Sequence, residues 1–259
     1  MSLITWIILF CLIGGVVSVL AAAAFLLFPE KLRARLLPHF ISYAIGALLG
    51  AAFLALLPHA LEAPGVADAH HITLTVLLGV LGFFLLEKMV LWRHCHHDHC
   101  EAHDPVMPAT NKSAGTIVMI GDTVHNFVDG ILIAAAFLTD VHLGVVTAIA
   151  VATHEIPQEL GDFAVLLHSG FSRGQALLFN GLSGLATVAG GLIAYYGLQN
   201  YDHILPYALA IAASSFIYVA VADLIPGLHK RMEMTATVQQ VSLISAGVLT
   251  IYLVHGTLH

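Results

Sequence analysis

Eight apolar runs, near residues 3–28, 38–61, 72–92, 115–138, 142–168, 172–197, 203–227 and 237–257, leave this chain few ways to fold. Each has the length that an α-helix needs to cross a hydrocarbon layer, roughly 20 residues for about 30 Å. Barrel strands would alternate apolar and polar residues, and these runs do not. The composition agrees. Hydrophobic residues make up 59% of the 259 and charged residues only 10%, against roughly 25% charged in a soluble domain. The expectation is an all-α, polytopic membrane protein with eight transmembrane helices in one domain, 1–259. The first run begins at Leu3 with no basic leader and no small-residue cleavage site, so it reads as a retained spanning helix.

The nine basic residues set the orientation. Lys31, Arg33 and Arg35 flank the first loop, Lys88, Arg93 and Lys112 the third, Arg173 the fifth, and Lys230 and Arg231 the seventh. The even-numbered loops hold none. Basic residues accumulate on the cytoplasmic side, so the odd loops are expected there and both termini on the outer side. No basic patch points to nucleic acid as a partner. The three cysteines, Cys11, Cys95 and Cys100, give no disulfide framework.

Two adjacent runs carry groups that lipid rejects. In the fourth, Asp122, His125, Asn126 and Asp129 fall at i, i+3, i+4 and i+7 and share one helical face. In the fifth, Glu155, Glu159 and Asp162 follow i, i+4 and i+7, with His154 and Gln158 as a second row beside them. Ionisable groups at membrane depth face protein or water and mark functional sites. Imidazole nitrogen and carboxylate oxygen together suit zinc and other divalent first-row metals, and a cation would offset the clustered acids. Pro157 removes a backbone donor inside the fifth run, which predicts a kink there. Such a break serves equally as a packing kink or as the lining of a binding site.

The stretches DTVHNFVDG (Asp122–Gly130) and HEIPQELGDFAVLL (His154–Leu167) resemble the two signature helices of the ZIP (Zrt/Irt-like) divalent metal transporters, in particular the LIV-1-like subgroup. GALLGAAFLALLPHA (Gly46–Ala60), FFLLEKMVLWRHC (Phe83–Cys95) and YVAVADLIP (Tyr218–Pro226) are similar to that subgroup's second, third and seventh helices. The resemblance implies a ZIP-type transporter domain that moves divalent metal, zinc foremost, toward the cytoplasm. It also implies a homodimer, in which helices one, four, five and six move against two, three, seven and eight. His125, Asp129, His154 and Glu159 would form the primary site, with Asn126, Glu155 and the bridging carboxylates Asp129 and Glu159 around a second ion. One or two Zn2+ per protomer would bind as substrate. Gln158 stands where the subgroup has histidine, and Ala51 and Ala55 replace polar groups common in relatives. Asp122 and Asp162 are placed equally as ligands or as groups that orient the ligands or line the entrance, and His59 as an entrance residue or an interfacial one. His168 and His255 stand alone near helix ends.

Residues 93–113 are expected to form a cytoplasmic loop rich in His and Cys: His94, Cys95, His96, His97, His99, Cys100 and His103 all fall within it. Cytosolic thiols stay reduced and can bind metal, as can the imidazoles. The rival reading is an intramembrane zinc metalloprotease, since His154-Glu155 opens an H-E-x-x-H string. It fails at Gln158, which replaces the second histidine. A carboxylate-bridged oxidase would need paired Glu-x-x-His motifs, and neither run has one. No phosphate-binding loop couples ATP within the chain. The protein is therefore expected to be a multi-pass transporter, not an enzyme, in the plasma (inner) membrane.

Overall fold

The computed structural model describes residues 1–66, 68–92, 112–229 and 233–258, and among these there is no strand. The eight long helices among the described residues are α1 (Leu3–Phe25), α2 (Glu30–Glu62) and α7 (Asp202–Leu228), α3 (Ala69–Trp92), α4 (Lys112–Thr139), α5 (Val141–His168), α6 (Arg173–Leu198) and α8 (Met234–Leu258). Seven are long and apolar enough to cross a membrane. The other, α5, is diluted by Glu155, Glu159 and Asp162, yet its 28 residues span about 42 Å, enough for the same crossing. The chain is thus an integral, multi-pass membrane protein.

Helix ends differ from the apolar runs where polar residues are good helix formers. Glu30, Lys31, Arg33 and Arg35, expected in the first loop, form the opening turns of α2, which starts after Pro29. Lys and Arg favour helix as strongly as Leu does, so hydropathy marks the bilayer and not the helix end. Lys112 likewise starts α4. The expected metal-binding residues from His94 to His103 lie outside the described residues. Pro157 sits within α5, and the helix continues through it to His168.

Short connections hold α4, α5 and α6 side by side. Asp140 alone separates α4 from α5, and its carboxylate accepts from the backbone of His142 at 2.8 Å and Leu143 at 3.1 Å, which satisfies free N–H groups of the new helix. Between α5 and α6, Gly170 adopts φ +87°, a left-handed conformation that closes a helix end at low cost in glycine. Ser172 and Gln175 then form a capping box on α6.

Contacts divide the helices into two sets. In one, α4 lies along α6, with α5 and α1 beside them; in the other, α8 lies along α2 and α3 along α7. The α2–α5 and α4–α7 contacts join the sets. The hydroxyl of Tyr218 on α7 donates to the Glu87 carboxylate on α3. Helices in lipid associate by close van der Waals contact, and small residues permit it. A Cβ on Gly130 would lie 1.9 Å from the Thr187 carbonyl oxygen, and one on Gly190 would lie 2.0 Å from that of Phe127. The α4–α6 seam is therefore backbone against backbone. Gly190→Ala is expected to force the helices apart at a cost of about 1–3 kcal/mol, read as a lower unfolding temperature in detergent; an unchanged transition would contradict the seam.

Among the described residues, three π-helical turns interrupt the bundle, at Ile13–Val17, Ala52–Leu56 and Val219–Leu224. They fall in α1, α2 and α7, and none occurs in α4 or α5. Apolar side chains fill both sides of the polar middle. Ile133, Phe137, Leu143 and Val151 belong to the larger core, while Val19, Phe25, Phe163 and Leu166 form a smaller one near the α5–α6 turn.

Candidate metal centre

The polar stripes of α4 and α5 meet in the buried middle of the first helix set. The i, i+4 spacing turns His125 and Asp129 to the same side, and helix pairing sets them against His154 and Glu155. The Nε2 atoms of His125 and His154 are 3.2 Å apart. Asp129 Oδ2 lies 3.2 Å from His154 Nε2 and 3.7 Å from His125 Nε2. Glu155 Oε1 is 3.6 Å from each of these nitrogens. Ligand atoms bound tetrahedrally to zinc at about 2.0–2.2 Å are separated by roughly 3.3–3.6 Å, so these spacings match the edges of such a tetrahedron.

The imidazole of His154 is aimed by its other nitrogen, Nδ1, which lies 3.1 Å from the Ala150 carbonyl oxygen. A histidine that gives one N–H to a backbone carbonyl presents the lone pair of its second nitrogen to a metal. Phe216 of α7 packs against the His154 ring with centroids 6.2 Å apart. Asp129, His154 and Glu155 are buried, while the His125 side chain keeps 23% of its surface accessible. His125 is the side through which the cluster meets its surroundings.

Asp122, Glu155 and Glu159 form a second group, with one oxygen from each lying within 4.8 Å of the others. Glu155 belongs to both groups. Among the described residues, neither carboxylate oxygen of Glu155 or Glu159 accepts a hydrogen bond. Buried carboxylates without donors are costly, and a shared cation is the usual remedy.

Asn126 lies between α4 and α6. Its amide nitrogen donates to Asp122 Oδ1 at 3.1 Å and to Ser183 Oγ at 3.4 Å, and its oxygen accepts from Thr187 Oγ1 at 2.8 Å. These bonds orient both Asn126 and the Asp122 carboxylate. Gln158 and Asp162 lie beside Asp122. His59 is in the last turn of α2 and belongs to neither group.

The division of the carboxylates differs from the sets that resemblance implied. Glu155 closes the group around the two imidazoles, whereas Glu159 sits with Asp122. Helical spacing places Glu155 and Glu159 on one face but does not fix how far α5 slides along α4. Phe216 gave no sequence signal. Ser183 and Thr187 lie at i and i+4 on the small-residue face of α6, and that spacing was the available clue.

A family model described as the ZIP zinc transporter matches residues 92–255, which include both polar helices and α6 to α8. The chain belongs to the ZIP zinc transporter family. Zinc transporter ZIP13 of Mus musculus is 30% identical over 250 residues, covering 82% of this chain and 68% of that protein. ZIP10 of Danio rerio is 42% identical over 129 residues, 47% of this chain and 15% of the relative. ZIP4 of Homo sapiens is 44% identical over 115 residues, 44% of this chain and 18% of the relative. The chain thus spans about two thirds of the ZIP13 protein's length and under a fifth of the ZIP10 and ZIP4 proteins. These relatives mark a LIV-1-like ZIP protein. ZIP members are transporters and not enzymes, so the peptidase reading of His154-Glu155 has no support.

Proposed function

We propose that this chain carries divalent metal, with Zn2+ as the principal substrate, across the membrane toward the cytoplasm through the buried groups of α4 and α5. The observation that carries this reading is the meeting of two imidazoles and two carboxylates at tetrahedral spacing, with Glu155 shared between that group and Asp122–Glu159. A hydrated ion arriving at His125 exchanges water for the nitrogens of His125 and His154 and the oxygens of Asp129 and Glu155. Glu155 then faces the next pair of acids, so an ion can pass from the first group to Asp122 and Glu159 without becoming fully hydrated. One or two ions fit this arrangement. Asn126, held by Ser183 and Thr187, keeps Asp122 turned toward the second group, and Gln158 adds a neutral oxygen donor beside it.

In this proposal both termini lie outside, because all nine basic residues flank odd-numbered loops, and the membrane is the plasma (inner) membrane. Two copies form the working unit in this proposal, and the His94–His103 segment collects metal on the cytoplasmic side.

Purified protein in liposomes, given radioactive Zn2+ outside and a chelator within, is expected to accumulate zinc above protein-free vesicles. Equal accumulation in both would refute transport. Metal ligands must be deprotonated to bind. Protons therefore compete with zinc, and uptake is expected to fall as the pH drops from about 7.5 to 5.5, across the ordinary histidine range. A flat profile over that interval would remove the histidines from the pathway.

A further inference from the structure

At the end of the bundle where α2 and α8 stop, two more histidines meet. His59 is in the last turn of α2 and His255 in the last turn of α8. Their ring centroids are 5.3 Å apart with the planes inclined at 71°, and both residues are half-buried. The sequence placed His255 alone at a helix end. The structure corrects this, because α2 and α8 run together in matched register. A Cβ on Gly46 would lie 2.0 Å from the Ile244 carbonyl oxygen, and the Tyr43 hydroxyl donates to Thr250 at 2.9 Å. Backbones this close bring residue 59 beside residue 255.

The pair has the geometry of ligands. Two imidazoles bound to one tetrahedral zinc at about 2.0–2.1 Å hold their ring centres roughly 5 Å apart. In the central cluster the His125 and His154 rings are separated by 5.5 Å and inclined at 84°, a nearly identical arrangement. His59 Nδ1 lies 2.9 Å from the Ala55 carbonyl oxygen. This bond puts the proton on Nδ1 and fixes the ring, as the Ala150 carbonyl does for His154. Ala55 belongs to the π-helical turn Ala52–Leu56, and Pro58 follows with no N–H of its own. Irregular hydrogen bonding in this stretch accompanies the carbonyl that fixes the imidazole. Both histidines also sit at helix C-termini, where the helix dipole favours positive charge.

We propose that His59 and His255 form a separate binding site for a divalent transition-metal cation such as Zn2+, with water completing the coordination. The existence of the site stands on this geometry. Its role rests on the transport reading: on the outer side, it collects metal ahead of the central groups and raises occupancy when metal is scarce.

The test is equilibrium dialysis of the full chain in detergent against radioactive Zn2+. His59→Ala, His255→Ala and the double variant are each expected to lose the same one ion per protomer, because either ring alone is a poor site. His203→Ala, elsewhere on the same end, is expected to lose none. Wild-type binding by all three variants, or loss of two ions in the double, would overturn the proposal. A folding defect is controlled by the double variant His59→Cys/His255→Cys titrated with Cd2+. An ultraviolet thiolate-to-cadmium band from two thiolates per ion, over and above the band that Cys95 and Cys100 give in the chain with both histidines intact, is expected, and the absence of any increment in folded protein would also overturn the site. In liposomes, the alanine variants are expected to need several-fold more Zn2+ for half-maximal uptake. Wild-type protein that binds at the pair but moves no zinc would sink the transport reading alone; flux with unchanged dialysis would sink the pair alone.

Discussion

Alanine at His154 is expected to lower zinc uptake into liposomes by more than about 100-fold. Groups that merely support metal ligands already cost roughly 10–100-fold when removed. His154 is more central than these. Its Nε2 lies within 3.2–3.6 Å of His125, Asp129 and Glu155, and the ring is buried and fixed at its far nitrogen. Removing it deletes one corner of the tetrahedron, and no neighbouring ligand is positioned to replace it. His125, at the accessible side, is expected to follow with a comparable loss. A His154→Ala protein that is folded, binds the bilayer normally and transports near the wild-type rate would displace the ion path from α4 and α5.

The second large effect concerns stability and has opposite signs with and without metal. Asp129, Glu155 and Glu159 place acids close together in a buried region, and their oxygens lack donors among the described residues. Without metal, this cost is met by holding either protons or uncompensated charge. The amides of a double variant, Asp129→Asn/Glu155→Gln, carry no charge and supply N–H donors to the neighbouring carboxylate oxygens, which relieves it. The variant should therefore be more stable than the wild type when both are metal-free, by about 1–3 kcal/mol, the usual cost of an unsatisfied buried polar group. Adding Zn2+ at 1,000 times its dissociation constant stabilises a binding protein by about 4 kcal/mol, and the variant should forgo this gain. The order of unfolding temperatures is thus expected to reverse on adding zinc. A variant that is less stable without metal and still shifts upward with zinc would exclude these acids as the binding groups.

Much of this architecture could be read from the residues. Apolar runs and the alternation of basic loops gave eight helices, including α5, because i, i+4 rows identify a helix even where acids lower its hydropathy. The polar faces of α4 and α5 were legible for the same reason. What escaped the reading depends on how helices are placed against each other. Spacing along α5 could not decide whether Glu155 or Glu159 joins the imidazoles, since an axial shift of about one turn, roughly 6 Å, exchanges them. The start of α2 was hidden because Glu30 to Arg35 are polar and helix-forming at once. His59 and His255 are far apart in sequence and on different helices, so only the α2–α8 register joins them. The π-helical turns carry no pattern distinct from the helices that contain them.

The seam of bare backbone between α4 and α6 has a mechanical consequence. Thr187 grips Asn126 across that seam, and Gly130 and Gly190 leave no slack between the two helices. Asn126 and the groups it orients must ride with α6 as one rigid body. Phe216 belongs to the other helix set and meets His154 ring to ring. If one set slides against the other, this aromatic contact shears first, and the ligands travel intact while the wall beside them changes. Such a slide would move the coordination shell together with the ion, leaving Phe216 behind as a fixed marker of how far the shell has gone.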